Sequence, residues 1–101
     1  MDTKAIIAEA KAKFSHNSAK EYLKDKYKSK LMFADQGGLW SATKELITFL
    51  NSISQEEVVI LDSYETPIKV NRIQLSTKAI NVYTETMNEW YDEWDKLRKK
   101  R

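Results

Sequence analysis

The chain has 101 residues, 42% of them hydrophobic and 11% aromatic, the size and apolar content of a single domain around one hydrophobic core. It has no cysteine, which excludes a disulfide framework and a thiolate zinc site. The formal net charge of +2 hides a layout: eight Lys face four acids in residues 1–30, two Lys face six acids in 31–71, and seven Lys or Arg face five acids in 72–101. Positive ends flank a negative middle, a polarity suited to guiding association with a second copy or another partner and weaker than the one-sided basicity of a dedicated nucleic-acid binder.

Met1-Asp2-Thr3-Lys4 has no basic segment followed by an apolar stretch, so no signal peptide is expected. No apolar run is longer than Val58 to Leu61, which is too short to cross a bilayer, and this makes a reducing cytoplasm the expected location. Residues 3–14 read as a helix with Ile6, Ile7, Ala10 and Phe14 on one face, and Ser15-His16-Asn17-Ser18 reads as a break. Ser18 and Glu21 form an S-x-x-E capping box that starts a second helix through Tyr22, Leu23 and Tyr27. Leu31-Met32-Phe33-Ala34 and Leu39-Trp40 flank Asp35-Gln36-Gly37-Gly38, a β-hairpin whose glycines supply positive φ. Thr43 caps a helix with Leu46, Ile47, Phe49, Leu50 and Ile53 turned inward. Val58-Val59-Ile60-Leu61, apolar on both alternating faces, reads as a strand covered from two sides. It returns through Ser63–Pro67 to Ile68 and Val70, with Pro67 at a strand start. Asn71 and Gln74 then make an N-x-x-Q box that opens the last helix.

Hairpin-then-helix thus occurs over 30–53 and again over 58–97. The assembly expected is an α+β domain spanning 1–101: a small antiparallel sheet of two β-hairpins packed with helices, and a long C-terminal amphipathic helix.

The last helix carries a seam at spacings of three and four: Ile73, Ser76, Ile80, Tyr83, Met87, Trp90, Trp94 and Leu97. Such a stripe either packs on the sheet of its own domain or joins a second copy. Val82 and Tyr91 widen the apolar face, and some 25 helical residues run about 38 Å. Met87, Trp90, Tyr91, Trp94 and Leu97 are accordingly the candidate interface of a homo-oligomer, aromatic residues being the usual anchors of contacts.

Other constellations point to little chemistry. His16 is the only histidine, with neither a second histidine nor a cysteine to complete a metal or nucleophile site. Gly37-Gly38 lacks the helix that phosphate-binding loops place directly after their glycines. Glu89, Asp92, Glu93 and Asp95 crowd beside Trp90, Tyr91 and Trp94, but 89, 92 and 93 share a helical face of the kind that is normally solvated. Lys20, Lys24 and Lys28, among the lysines studding the second helix, and Lys96, Arg98, Lys99 and Lys100 in the basic tail are the candidate phosphate contacts of a nucleic-acid-binding alternative. Basic residues ending a helix also complement its dipole without any ligand.

The stretches Phe33-Ala34-Asp35-Gln36-Gly37-Gly38-Leu39-Trp40 and Asp62-Ser63-Tyr64-Glu65-Thr66-Pro67-Ile68-Lys69-Val70-Asn71-Arg72 resemble small uncharacterised proteins of contractile-tailed marine bacteriophages. The resemblance implies a phage accessory protein in a bacterial cytoplasm or a virion, and carries no assigned activity to any residue. The expectation from sequence is therefore a non-enzymatic protein without cofactor or metal, acting by protein–protein contact as a homo-oligomer or with another protein, with nucleic acid as the alternative and no membrane.

Overall fold

The computed structural model describes the backbone of residues 3–99 and the side chains of residues 17–99. Helix α1 spans Thr3–Lys30, a hairpin pairs β1 (Met32–Asp35) with β2 (Gly38–Ser41), and α2 spans Lys44–Ser52. A second hairpin pairs β3 (Glu57–Leu61) with β4 (Pro67–Asn71), and α3 runs from Arg72 to Lys99. The fold is α+β with a long C-terminal helix, and the hairpins form two separate two-stranded antiparallel sheets.

The first departure from the sequence reading is in α1, which is one helix where a break was expected at Ser15–Ser18. That run contains neither Pro nor Gly, and Ser, His and Asn each cost only about half a kcal/mol against Ala in a helix. Ser18 and Glu21 therefore lie inside the helix and form no cap. The side chain of His16 and the face formed by Ile6, Ile7, Ala10 and Phe14 lie outside the described residues.

The head of the molecule is built around Phe33, Trp40, Ala42, Leu50, Val70, Leu75 and Ala79, with Leu46, Ile47, Val58, Ile60, Ile68, Val82 and Tyr83 packed on them. Thr43 caps α2 as its sequence predicts, accepting from the Leu46 N–H at 3.2 Å. Phe49, expected inward, is 46% exposed because α2 turns the Leu46, Ile47 and Leu50 side to the core. The C-terminal end of α2 has no basic residue of its own; Arg72 supplies one from α3, donating to the carbonyls of Gln55 at 2.6 Å and Leu50 at 3.4 Å.

In the first hairpin Asp35 pairs with Gly38, leaving Gln36 at φ 50° and Gly37 at φ 82° as the loop. Positive φ at both loop residues is the type I′ arrangement that matches strand twist. Gly38 is not at positive φ, contrary to expectation. A Cβ there would stand 2.7 Å from Ile68 Cδ1 and 2.7 Å from Trp40 Cζ2, so glycine is required by the indole lying across the strand. The indole N–H is fixed by the Asp35 carbonyl at 2.8 Å.

From the head, the second half of α3 and the described part of α1 continue as an antiparallel two-helix arm. Lys30 meets Glu89, Tyr27 meets Trp90, Lys26 meets Glu93 and Lys20 meets Trp94, in opposite chain directions. The seam read from sequence is correct along this arm and wrong nearer the head. Ile73 and Ile80 are 54% and 42% exposed, while Leu75, Ala79 and Thr86, all outside the seam, are buried; of the seam positions before Tyr83 only Ser76 is buried. The helix serves two partners in succession, and a straight helix also drifts about 20° per heptad, so one seven-residue stripe cannot face both.

Candidate functional site

Two surfaces stand out. The first is the outer side of the second hairpin. Asp62 donates its N–H to the Thr66 carbonyl at 3.0 Å and Arg72 donates to that of Glu56 at 3.0 Å, which sets the even-numbered residues of β3 as the ones bonded to β4. The N–H and C=O groups of Glu57, Val59 and Leu61 therefore point away from the hairpin. Among the described residues, none makes a backbone hydrogen bond to them.

The side chains of this strand were expected to be covered on both faces. Only Val58 and Ile60 are packed on the core; Val59 is 59% and Leu61 62% exposed, and Tyr64 at the hairpin tip is 75% exposed. With just two strands, the first hairpin and the helices cover one face, and among the described residues none covers the other. A Val-Val-Ile-Leu run cannot signal this, since its apolar residues are equal on both faces.

The hairpin itself is held rigidly. Asp62 accepts from the N–H of Leu39 at 3.1 Å and from those of Tyr64 and Thr66 at 3.0 Å each, and the Leu39 carbonyl accepts from Ser63 at 2.8 Å. The N–H donors of Leu39, then Thr66 and Tyr64, hold the Asp62 carboxyl below the usual carboxylate range. Asp62 thus organises its own loop and ties it to β2.

The second surface is the arm. Leu23 and Tyr27 are each 4% exposed, and Tyr27 stacks on Trp90 with ring centroids 5.8 Å apart and planes 10° from parallel. On one flank Lys26 donates to Glu93 at 2.9 Å and Lys30 pairs with Glu89 at 3.2 Å. The Glu93 carboxylate raises Lys26 above the ordinary lysine range, and Lys26 with Tyr27 lowers Glu93. Burial, then the neighbouring Glu93, pushes the Tyr27 hydroxyl up. Ala19, Tyr22, Leu23, Lys96 and Leu97 line a shallow groove on this side with Glu93.

The opposite flank opens as a groove of about 410 Å³ walled by Leu23, Trp90 and Trp94 and edged by Lys20, Lys24, Lys28 and Glu21. Lys20 Nζ lies 5.4 Å from the centroid of the Trp94 ring.

The structure thus gathers Lys20, Lys24 and Lys28 with Trp90 and Trp94. It sends Lys96 to the other flank, pairs Arg98 and Lys99 with Asp95, and leaves Tyr91 60% exposed and Met87 half-buried. Lys99 first, then Arg98, lowers the Asp95 carboxyl. Lys100 lies outside the described residues. Among the described residues, no group of three or more His, Asp or Glu is placed to hold a metal ion, and no helix is long and apolar enough to cross a membrane. Compared with protein families, curated proteins and solved structures, the chain gives no match.

Proposed function

We propose that this chain is a non-enzymatic accessory protein acting through protein–protein contact, with a second copy of itself as partner, joined at β3. The open edge of β3 carries this reading. Free strand edges are templates for pairing, and soluble proteins blunt them with charged side chains, Pro or a bulge. β3 carries such a charge only at its first residue, Glu57, and beyond it presents exposed Val59 and Leu61, with Tyr64 exposed at the hairpin tip.

The edge is suited to itself. Antiparallel pairing about a two-fold axis through Val59 sets Val59 opposite Val59 of the second copy, and Glu57 opposite Leu61 of the second copy, with no like charges face to face. Two hairpins of two strands, each marginal alone, become one sheet of four. An accessory or virion role in a phage, the setting implied by the resemblance of both hairpin segments, calls for assembly of this kind. This reading moves the contact from the α3 seam to β3, because Trp90 is stacked within its own chain.

Sedimentation velocity at micromolar concentration tests it. The unmutated chain is expected to sediment as a dimer and Val59→Pro as a monomer. Residue 59 makes no ladder bond within its own hairpin, so the proline removes only the outward N–H and the circular dichroism spectrum should be retained. A monomer for the unmutated chain at 50 µM (about the top of the useful range) would refute the reading.

A further inference from the structure

We propose that the lysine-edged groove of the arm binds single-stranded nucleic acid, with Lys20, Lys24 and Lys28 taking successive phosphates while bases stack against Trp90 and Trp94. This site is independent of β3. Its residues were separate in the sequence: the lysines were candidate phosphate contacts grouped with the basic tail, and the tryptophans belonged to a helix seam. The structure puts them on one groove.

The spacing fits. Residues four apart on a helix repeat about every 6 Å along the axis, so the cation row and the indole pair share one repeat. A row of that spacing matches one phosphate per lysine on a strand drawn out beyond the roughly 3.4 Å repeat of a duplex strand. Lys24 and Lys28 are exposed and make no ion pair among the described residues, in contrast to Lys26 and Lys30 on the other flank. Trp90 is braced from behind by Tyr27, which fixes an aromatic platform before any ligand arrives. Lys20 lies over Trp94 as a cation over a ring face, and a flexible exposed lysine can exchange that ring for a phosphate as a base takes its place.

Other occupants fit less well. A second copy placed on this groove by a two-fold axis running across it would bring its three lysines against these three, a costly like-charge contact. An acidic amphipathic helix is a cylinder of about 10–12 Å and needs a long apolar trough for its anchors. The floor here is two indoles and Leu23, and Glu21 on the rim opposes an acidic peptide as it does a phosphate.

The test is anisotropy of a fluorescein-labelled 12-mer of thymidylate, an abasic strand of the same length and a duplex, between 50 and 200 mM salt. Three phosphate contacts predict a slope of log K on log salt near −2. The thymidylate strand should bind at least 5-fold tighter than the abasic one, since stacking contributes at least about 1 kcal/mol per base. Binding should quench tryptophan emission, with Trp40 contributing little because it is 2% exposed. Combining Lys20→Gln, Lys24→Gln and Lys28→Gln should weaken binding at least tenfold with the circular dichroism unchanged, and Val59→Pro should leave it unaltered. The proposal is overturned by undetectable binding at 50 mM salt, by equal affinity for abasic strand or duplex, or by a poly-glutamate peptide that binds more tightly than thymidylate.

Discussion

The side-chain amide of Gln36, at the tip of the first hairpin, pairs with the backbone of Asn71 as a neighbouring strand would: its Oε1 accepts from the Asn71 N–H at 2.7 Å and its Nε2 donates to the Asn71 carbonyl at 3.3 Å. Asn71 is also the N-cap of α3, its Oδ1 accepting from the Gln74 N–H at 3.0 Å. In a capping box the Gln74 side chain would satisfy the Asn71 N–H; here Gln36 does so from 35 residues away. The clamp also explains why a non-glycine residue is held at φ 50° in a turn that favours Asn, Asp or Gly.

Gln36→Ala keeps the unfavourable φ and abandons the Asn71 N–H. It should cost about 1–3 kcal/mol, the usual penalty for an orphaned polar group. Gln36→Gly relieves the backbone and should be milder than alanine. Urea unfolding of both variants checks the ranking, and an alanine variant as stable as the unmutated chain would show that the clamp contributes nothing.

At Gly38 the obstacle is space rather than φ. Gly38→Ala puts a methyl where Ile68 Cδ1 and the Trp40 ring already lie, both at 2.7 Å, so the indole must tilt off the strand. Overpacking of this kind costs roughly 1–3 kcal/mol. Near-ultraviolet circular dichroism should show the tryptophan signal change along with the lower stability. Gly37→Ala, with nothing within 4 Å of its Cβ, should show the φ penalty without that spectral change.

These residues mark what could be read in advance. Thr43, Asn71 and the hairpin at Gly37 were legible because caps and tight turns are set by neighbours a few positions away. So was the seam from Tyr83 to Leu97, whose period is local. The Gln36 clamp, Arg72 at the end of α2 and the ion pairs of Lys26 and Lys30 join segments 17 to 67 residues apart, and no local pattern announces them. The lysines and tryptophans of the arm groove were each noticed, but for separate reasons. The open edge of β3 was missed because the run that forms it was taken to be covered twice.

Acid should act through Asp62. Its carboxyl lies below the usual range in the folded chain, so its contribution is fully present above the unfolded value near 4 and is lost as pH falls through the lower folded value. Glu93 and Asp95 are lowered as well and add their own acid dependence, so Asp62 is isolated by difference. Asp62→Asn should reduce stability at pH 7 and narrow its gap to the unmutated chain between pH 4 and pH 2. A gap constant over that window would show that the charge of Asp62 is irrelevant and only its shape matters.

The arm and the head should come apart in stages. The head core runs through Phe33, Trp40, Leu50, Val70 and Leu75, whereas the arm depends on Leu23, Tyr27 and Trp90 with exposed ion pairs around them. Exposed pairs contribute little, so the stacked rings and Leu23 hold the two helices together. Trp90→Ala removes the stack, which is worth about 0.5–1.5 kcal/mol beyond area burial, together with part of the apolar contact. Amide exchange followed by mass spectrometry should then show residues 20–28 and 88–97 exchanging much faster, with residues 68–80 as protected as before. Tyr27→Phe keeps the ring and loses only the hydroxyl beside Glu93, so it should leave the arm closed. Equal acceleration throughout the chain in Trp90→Ala would mean that arm and head unfold as one unit, and the arm would then be an extension of the core rather than a separate platform.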